Sequence, residues 1–232
     1  LSNLLALKLR KHGLRIKGVH MTGTSVHETE NHVLCSWSQD RTLAGSATKQ
    51  GRESKPAESR GETLQKFFGI CRDKLGLIPN VLAAYSHDDE QLRTFSRFYN
   101  ALMFGKSGLS SLEKEMIAVV VSCANHCFYC LTAHGCNVRE YSENPVLGEL
   151  MVMNYRAAEL SERQRAMLDF ADKLTTAANE IDEADRQTLR DNGFSEKDIW
   201  DIANIAGFYN MTNRVASAVD MQPNKEYHGM HR

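Results

Sequence analysis

Beyond Gly61, apolar residues recur every three or four positions, the spacing that places them on one face of an α-helix. Most of these segments open at Ser, Asp or Pro or close near Gly, as helices do, and none alternates as a strand would. The pattern predicts an all-α fold. The predicted helices span residues 62–75, 81–85, 88–104, 110 to about 124, 127–141, 145–158, 161–178, 182–192 and 195 to about 219.

One predicted helix differs from the others. It begins at Ser110, a good N-cap, and its run from 117 to 121 is apolar on every side, so we expect it at the centre of the fold. Its start, Leu109-Ser110 followed by Met116-Ile117, recurs fifty-one residues later as Leu160-Ser161 and Met167-Leu168. This echo indicates two similar helical units.

The first sixty residues have another character. Up to Val26 the chain carries five basic residues and no acidic one, and residues 40–61 are rich in Ser, Gly, Lys and Arg. The basic opening resembles a targeting segment, but Leu14 to Lys17 alternate as a strand does and not as an amphipathic helix. We therefore predict a poorly structured extension over residues 1–60 and a helical domain over 61–232.

Composition limits the classes of partner. The 232 residues carry a formal net charge of −1, which gives no electrostatic footprint for nucleic acid. No apolar run approaches the roughly 20 residues of a membrane span, so no membrane partner is expected. Four of the six cysteines lie within residues 123–136, which favours a reactive pair in a reducing, cytoplasmic compartment over a secreted disulfide framework.

The most informative motif is Cys127-Phe128-Tyr129-Cys130 followed by His134. On a helix Cys130 and His134 share a face at i and i+4, and the two cysteines are i and i+3 neighbours. An ordinary thiol is mostly protonated at neutral pH, so a reactive cysteine needs a helix N-terminus, a cation or a base beside it. The N-terminal position favours Cys127 as the thiolate, whereas the register of His134 favours Cys130.

Other interpretations of the same residues remain. The cysteines can be small core residues, or they can bind zinc together with His134 and either His126 or Cys136. Cys123 and Cys136 are expected to be core or surface thiols. Glu115, on the preceding helix, is by default a solvated first-turn carboxylate favoured by the helix dipole, although an antiparallel helix pair can bring it to the sulfurs.

The spacing Glu115-x11-Cys127-x-Tyr129-Cys130-x3-His134 resembles the active-site motif of alkyl hydroperoxidase D-like (AhpD-like) proteins. These belong to the carboxymuconolactone decarboxylase superfamily, and the resemblance is greatest to their peroxidase-related branch. It covers roughly residues 58–228 and does not extend to the first sixty. Further matching segments are Leu77-Ile78-Pro79-Asn80-Val81, Lys106-Ser107-Gly108-Leu109-Ser110 and Asn213-Arg214-Val215-Ala216.

The resemblance implies a homo-oligomeric, all-α thiol peroxidase acting on a hydroperoxide. Cys130 would attack the peroxide, Cys127 would resolve the sulfenic acid into a disulfide, and Glu115 and His134 would relay protons. Tyr129 stands where better-known members often have His. Because a phenol carries protons poorly near neutrality, the relay would be shorter and the rate lower.

No flavin, haem or nicotinamide motif is visible, so no cofactor is expected. Electrons would come from an external dithiol, lipoyl or thioredoxin-like. The alternative function is a zinc-binding or redox-sensing helical module without peroxidase turnover. Lactone decarboxylation, the other chemistry of the superfamily, is a weaker candidate because it has no use for a dithiol.

Overall fold

The computed structural model describes residues 62–232, with side chains from Leu64 onward. The extension predicted for residues 1–60 lies outside the described residues. Within residues 62–232 all regular secondary structure is helical, which confirms the all-α prediction for this part of the chain. No helix in it is both long and apolar enough to span a bilayer.

The described residues divide into two compact units at Leu77. The first contains helix α1, Glu62–Leu75, whose buried side chains are Leu64, Phe67, Phe68 and Cys71. The second, from Ile78 onward, holds eight helices: α2 Asn80–Tyr85, α3 Asp89–Met103, α4 Ser111–Ala124, α5 Phe128–Ser142, α6 Pro145–Asn154, α7 Glu162–Thr176, α8 Glu183–Asp191 and α9 Glu196–Ala218.

The helix starts follow from short polar side chains that bind otherwise unpaired backbone N–H groups. Ser110 and Glu113 form a capping box at α4, and Ser161 and Gln164 form one at α7. The sequence echo therefore has a local cause, since both of its copies open a helix in the same way. α4 and α7 also pack against each other.

α4 is the central helix, as its uniformly apolar run predicts. Every residue from Glu113 to Ser122 is buried, and α5, α6, α7 and α9 pack around it. Ten buried positions in succession leave no solvent-facing side on this helix, so its three charged residues near the start must find partners inside the protein. Glu115 is one of them.

Two segments differ from the prediction. The predicted helix 145–158 ends at Asn154, because Asn154 turns to an extended conformation and its side chain accepts a hydrogen bond from the N–H of Arg156, which starts a 3₁₀ turn over Tyr155–Ala157. Beyond α9 the chain continues through residues 220–232, with a 3₁₀ turn at Lys225–His228. We call residues 220–232 the C-terminal strap, an element that the sequence pattern did not predict.

Candidate active site

Two buried side chains on neighbouring helices form an ion-pair geometry. Nδ1 of His134 on α5 lies 2.6 Å from Oε2 of Glu115 on α4, and both residues are buried. A carboxylate accepts and cannot donate, so Nδ1 carries the proton of this bond and Nε2 is the nitrogen available for proton transfer. The solvated interpretation of Glu115 is wrong, because only 3% of the residue is exposed.

The turn from α4 into α5 places the first cysteine. The N–H of His126 donates to the carbonyl of Cys123 at 3.0 Å, and the N–H of Cys127 donates to the carbonyl of Ser122 at 3.0 Å. With His126 at a φ of 53°, these are the two bonds of a Schellman motif in which His takes the left-handed position usually held by Gly. The motif reverses the chain tightly enough for Cys127 to become the N-cap of α5.

The Cys127 sulfur lies where negative charge is favoured. The Cys130 thiol donates a hydrogen bond to it, which is the largest influence; burial opposes this, while the Cys130 backbone amide, the Ser217 hydroxyl and the charge of His134 support it. Together they lower the pKa of Cys127 to about 6. Both cysteines are buried and reduced, so the charge is held in a largely dry environment.

The pKa of the second cysteine, Cys130, is shifted in the opposite direction. Donation of its proton to Cys127 raises the pKa of Cys130 well above its ordinary range, burial acts the same way, and the Ser122 hydroxyl acts against both. A thiol that shares its proton with a neighbouring thiolate titrates as part of a pair. The two sulfurs therefore carry one negative charge between them near neutral pH, and that charge rests mainly on Cys127.

The hydroxyl of Tyr129 bonds to a backbone amide outside the Glu115–His134 pair. Its hydroxyl accepts a hydrogen bond from the backbone N–H of Val81 at 3.1 Å, which ties α5 to the start of α2. Burial, followed by the neighbouring Tyr227, raises the pKa of Tyr129 well above its ordinary value, and the Val81 bond opposes them. A role for Tyr129 in the chemistry stays a prediction.

Another tyrosine, not predicted from the sequence, lies against the relay. The ring of Tyr209 on α9 meets His134 edge to face with centroids 4.6 Å apart, and its hydroxyl has no hydrogen-bond partner within residues 62–232. Burial, then the charges of Tyr99, Glu115 and Cys130, raise the pKa of Tyr209 well above its ordinary value. Its phenol therefore stays protonated and confines the imidazole sterically.

The C-terminal strap lies beside the dithiol. Its Met221 and Tyr227 pack, together with Val81, against the buried cluster that contains Cys127, Cys130 and Ala216. The guanidinium of the buried Arg139 on α5 donates to the carbonyl of Tyr227 at 2.6 Å and to that of Met230 at 3.1 Å. Arg139 thus fastens the strap beside the cluster that contains the dithiol.

The close contact that anchors Arg139 requires a glycine on α6. A Cβ on Gly148 would lie 2.3 Å from Cγ of Arg139, well inside contact distance. Gly148 therefore lets α6 approach α5 where the arginine stem passes between them. Neither Arg139 nor Gly148 carries a motif signal, so sequence patterns alone gave no reason to connect them with the cysteines.

Two further polar residues influence the dithiol, and a third supports one of them; none was predicted as a site residue. Hydrogen bonding by the Ser217 hydroxyl lowers the pKa of Cys127, and hydrogen bonding by the Ser122 hydroxyl acts in the same direction on the pKa of Cys130. The Nδ2 group of Asn213 donates to the Ser122 hydroxyl at 3.0 Å. Ser122 offered a signal, since it is the one hydroxyl in an otherwise apolar helix segment. A polar residue in such a segment must hydrogen-bond within the core.

The residues of the zinc interpretation do not converge. Among residues 62–232 no three His, Cys, Asp or Glu side chains are grouped as a metal ion requires. His126 holds the helix reversal, and Cys136 is a buried thiol whose pKa burial raises to about 11. Cys123 donates weakly to the carbonyl of Val152. Cys123 and Cys136 are thus distinct in their surroundings from the pair.

Known proteins share both the sequence and the fold. The model of the carboxymuconolactone decarboxylase family matches residues 89–146. An uncharacterized peroxidase-related protein from Silicibacter sp. TM1040 is 56% identical, with 80% of this chain and 100% of that chain covered and a TM-score of 0.76. None of the curated proteins matches significantly.

Solved structures of lower sequence identity share the fold. An uncharacterized peroxidase-related protein from Ralstonia eutropha JMP134, described as an alkylhydroperoxidase AhpD core, is 37% identical, with 81% and 98% of the two chains covered and a TM-score of 0.76. The debrominase Bmp8 is 21% identical over 72% and 89% of the chains with a TM-score of 0.62, a likeness of fold alone. The chain therefore belongs to the carboxymuconolactone decarboxylase family, among its AhpD-like, peroxidase-related proteins.

Proposed function

We propose that the protein is a thiol-dependent hydroperoxide reductase in which Cys127 and Cys130 cycle between dithiol and disulfide. The observation that carries this proposal is the buried Glu115–His134 pair, joined at 2.6 Å, in the electrostatic field of a thiolate whose pKa is lowered to about 6. A nucleophilic sulfur, an imidazole that exchanges protons with the reacting groups and a carboxylate that orients the imidazole are parts that covalent catalysis needs.

In the first step Cys130 attacks the terminal oxygen of the peroxide. Its proton passes along the existing hydrogen bond to the Cys127 thiolate, and the O–O bond breaks with its electron pair on the leaving alkoxide. Protonated His134 gives the alkoxide a proton, so the products are an alcohol and a Cys130 sulfenic acid. Glu115 accepts the hydrogen bond of Nδ1 and so orients His134 with Nε2 towards the reacting groups.

In the second step Cys127 resolves the sulfenic acid. His134, neutral after the first step, accepts the proton of the Cys127 thiol, and the resulting thiolate attacks the Cys130 sulfur. The S–O bond breaks, and the departing hydroxide receives the proton of His134 and leaves as water. The low pKa of Cys127 suits this role, since a thiol of low pKa gives up its proton readily near neutral pH.

Each turnover leaves a disulfide, so two electrons must enter from outside. We propose an external dithiol of the lipoyl or thioredoxin-like class as reductant, in a cytoplasmic setting. A homo-oligomer is supported by a stripe of exposed apolar side chains along α9. The stripe consists of Trp200, Met211, Val215 and Val219, which lie within about 100° of the helix circumference.

Thiol titration with one equivalent of cumene hydroperoxide tests the function. The reduced protein is expected to lose two thiols and to release one equivalent of alcohol, and dihydrolipoamide is expected to restore both thiols and sustain turnover. The matched control is Cys136→Ser, which removes a buried thiol of raised pKa from the same helix and should change neither result.

Three results would contradict the proposal. If all thiols remained after addition of the peroxide, the proposed dithiol chemistry would be wrong. Stoichiometric zinc in the purified protein, protecting the thiols, would favour the metal-binding module. Loss of two thiols with no turnover under any dithiol donor would favour a redox sensor.

A further inference from the structure

One face of α9 lies against the candidate site. Residues 209, 213 and 216 of α9 are spaced by four and three positions, so they share a face of the helix. The ring of Tyr209 meets that of His134 with centroids 4.6 Å apart, and Nδ2 of Asn213 donates to the Ser122 hydroxyl at 3.0 Å. Ala216 belongs to the buried cluster that contains both cysteines of the pair. This face therefore contacts the relay, α4 and the dithiol cluster in turn.

Two polar atoms on this face are buried and unpaired. The hydroxyl of Tyr209 and the Oδ1 atom of Asn213 have no hydrogen-bond partner in the part of the chain that the structure describes. Tyr209 is 2% exposed and Asn213 is 1% exposed. A buried polar atom without a partner costs free energy, so folded proteins pair nearly all of theirs. Two such atoms one helical turn apart, beside the relay, indicate a polar ligand that pairs with both.

Core packing does not explain the Tyr209 hydroxyl. Phenylalanine would fill the ring position without burying a polar atom, as it does at the neighbouring Phe208, whose ring lies 5.4 Å from that of Tyr209 between centroids. Burial raises the pKa of Tyr209 well above its ordinary value, so the phenol keeps its proton and can donate it to a hydrogen bond.

The second unpaired atom has the complementary role. Oδ1 of Asn213 is a carbonyl oxygen and can only accept, while Nδ2 of the same amide is bound to Ser122. Tyr209 and Asn213 therefore present one donor and one acceptor. A hydroperoxide group has one O–H donor and oxygen lone pairs that accept, so it can satisfy both atoms at once.

We propose that Tyr209 and Asn213 bind the O–O–H group of the substrate: Asn213 accepts the terminal O–H, and the Tyr209 hydroxyl donates to the inner oxygen. The inference rests on the proposed function for the identity of the ligand. When the O–O bond breaks, the inner oxygen leaves with the electron pair, and His134 gives it the proton that makes the alcohol. Tyr209 keeps its own proton, and its hydrogen bond strengthens as charge develops on that oxygen.

The chain provides a matched control for the hydroxyl. Tyr155 is 4% exposed, and its hydroxyl donates at 2.7 Å to Oδ1 of Asp169. Tyr155→Phe and Tyr209→Phe each keep a buried ring and remove one hydroxyl, but only Tyr155→Phe breaks a hydrogen bond present without a ligand. Tyr155→Phe should therefore lower the urea midpoint of unfolding, whereas Tyr209→Phe should leave it unchanged or raise it.

The test compares two reactions of the same thiols. The reduced protein is mixed with cumene hydroperoxide and the loss of thiols is timed; alkylation by iodoacetamide is followed against pH in parallel. Tyr209→Phe is expected to slow the reaction with peroxide by about tenfold, because a donor to the leaving oxygen is lost. Alkylation should stay within twofold at every pH, and Tyr155→Phe should change neither reaction more than twofold.

A folded Tyr209→Phe variant with an unchanged peroxide rate would overturn the inference. Equal slowing of both reactions would overturn it too, because the hydroxyl would then act on the thiols and not on the peroxide. If Tyr209→Phe does not fold, Asn213→Leu decides: the ratio of the peroxide rate to the alkylation rate should fall about threefold, and an unchanged ratio would overturn the inference.

Failure of the proposed function would look different. If the unmodified protein does not consume peroxide, binding of cumene hydroperoxide to Cys130→Ser is measured by saturation-transfer NMR. Binding that Tyr209→Phe weakens several-fold would uphold the binding site while the reductase function fails. Equal or undetectable binding in both proteins would overturn the site as well.

Discussion

Two turns of α5 hold cysteines of similar burial and opposite acid–base character. Cys127 at the helix start is 1% exposed with a pKa lowered to about 6, and Cys136 in its third turn is 2% exposed with a pKa raised to about 11. Burial raises the pKa of both thiols. The difference lies in what donates to the sulfur.

At Cys127 a thiol, a backbone amide and a hydroxyl supply positive ends of dipoles, and His134 adds charge. At Cys136 burial outweighs the nearby Arg139, and Glu140 and Glu115 raise the pKa further. Exposure is therefore no guide to reactivity in this protein. The hydrogen bonds that a sulfur receives are a better guide to its reactivity.

The largest predicted difference between the cysteines is in how their substitution affects peroxide consumption. Cys130→Ser removes the proposed attacking sulfur and should lower dithiol-dependent peroxide consumption by roughly a thousandfold or more. Cys136→Ser, on the same helix, should leave it unchanged. Cys127→Ser should instead stop at a Cys130 sulfenic acid that over-oxidises with excess peroxide, which mass spectrometry detects as added oxygens. A sulfenic acid on Cys127 in the Cys130→Ser variant would mean that the two roles are exchanged.

Glu115→Gln weakens the base without touching either sulfur. Loss of the carboxylate makes the His134 imidazolium less stable, so we expect activity to fall by about tenfold or more, with the apparent thiol pKa moving upward in the pH–rate profile. The control is Glu140→Gln, which alters a second Glu–His pair, with His231 at 3.5 Å. An unchanged pH profile for Glu115→Gln would remove it from the relay.

The difference in pKa between Cys127 and Cys136 should also change how the unfolding free energy depends on pH. A thiol whose pKa falls from 9.0 when unfolded to about 6 when folded adds stability above pH 9 and loses it as the pH falls through 6. Between these values the reduced protein should gain up to about 1.4 kcal/mol of unfolding free energy per pH unit relative to Cys127→Ser.

Cys136 should behave in the opposite sense. Its pKa is raised on folding, so its contribution is present below pH 9 and lost as the pH rises toward 11. Urea unfolding under reducing conditions measures the Cys127 difference from pH 6 to 9 and the Cys136 difference from pH 9 to 11. A flat difference between the unmodified protein and Cys127→Ser would show that the folded protein does not hold a thiolate at this site.

Much of this site follows from periodicity and spacing. The helix register brings His134 near the sulfurs, and Cys127 lies at the start of α5, where the predicted helix 127–141 also begins. The helix start favours Cys127 as the thiol of lower pKa, but the largest cause of the shift is the hydrogen bond from Cys130, which the helix start does not supply. The resemblance implies that the other sulfur attacks, and that assignment stays a prediction.

Sequence patterns do not contain the contacts between distant helices. Asn213 reaches Ser122, and Ser217 reaches the Cys127 sulfur, because α9 packs against α4 and α5. Arg139 holds the strap in place by binding its carbonyls. These are long-range contacts made by backbone carbonyls and single polar side chains, and such contacts have no period. The strap itself lacks apolar periodicity, so it gave no helical signal.

Loosening the strap should expose the dithiol with little effect on its chemistry. Arg139→Met keeps the apolar stem and removes the hydrogen bonds to Tyr227 and Met230. We expect a bulky maleimide to label Cys127 several-fold faster, while a small reagent such as iodoacetamide gains less. Equal gains for the two reagents would indicate an altered thiol pKa and not an opened cover.

The smallest effect is expected at the helix reversal that places Cys127. Gly at position 126 relieves the left-handed strain of a φ of 53° but makes the unfolded chain more flexible, so His126→Gly should change the unfolding free energy by no more than about 1 kcal/mol. Because the Schellman bonds are made by the backbone, Cys127 should remain the N-cap and activity should stay within twofold. His126→Val adds a β-branched side chain at the same φ, and should destabilise the turn and slow Cys127 alkylation. A large loss of activity in His126→Gly, with the fold and the alkylation profile intact, would show that the imidazole itself takes part in the chemistry or binds a metal.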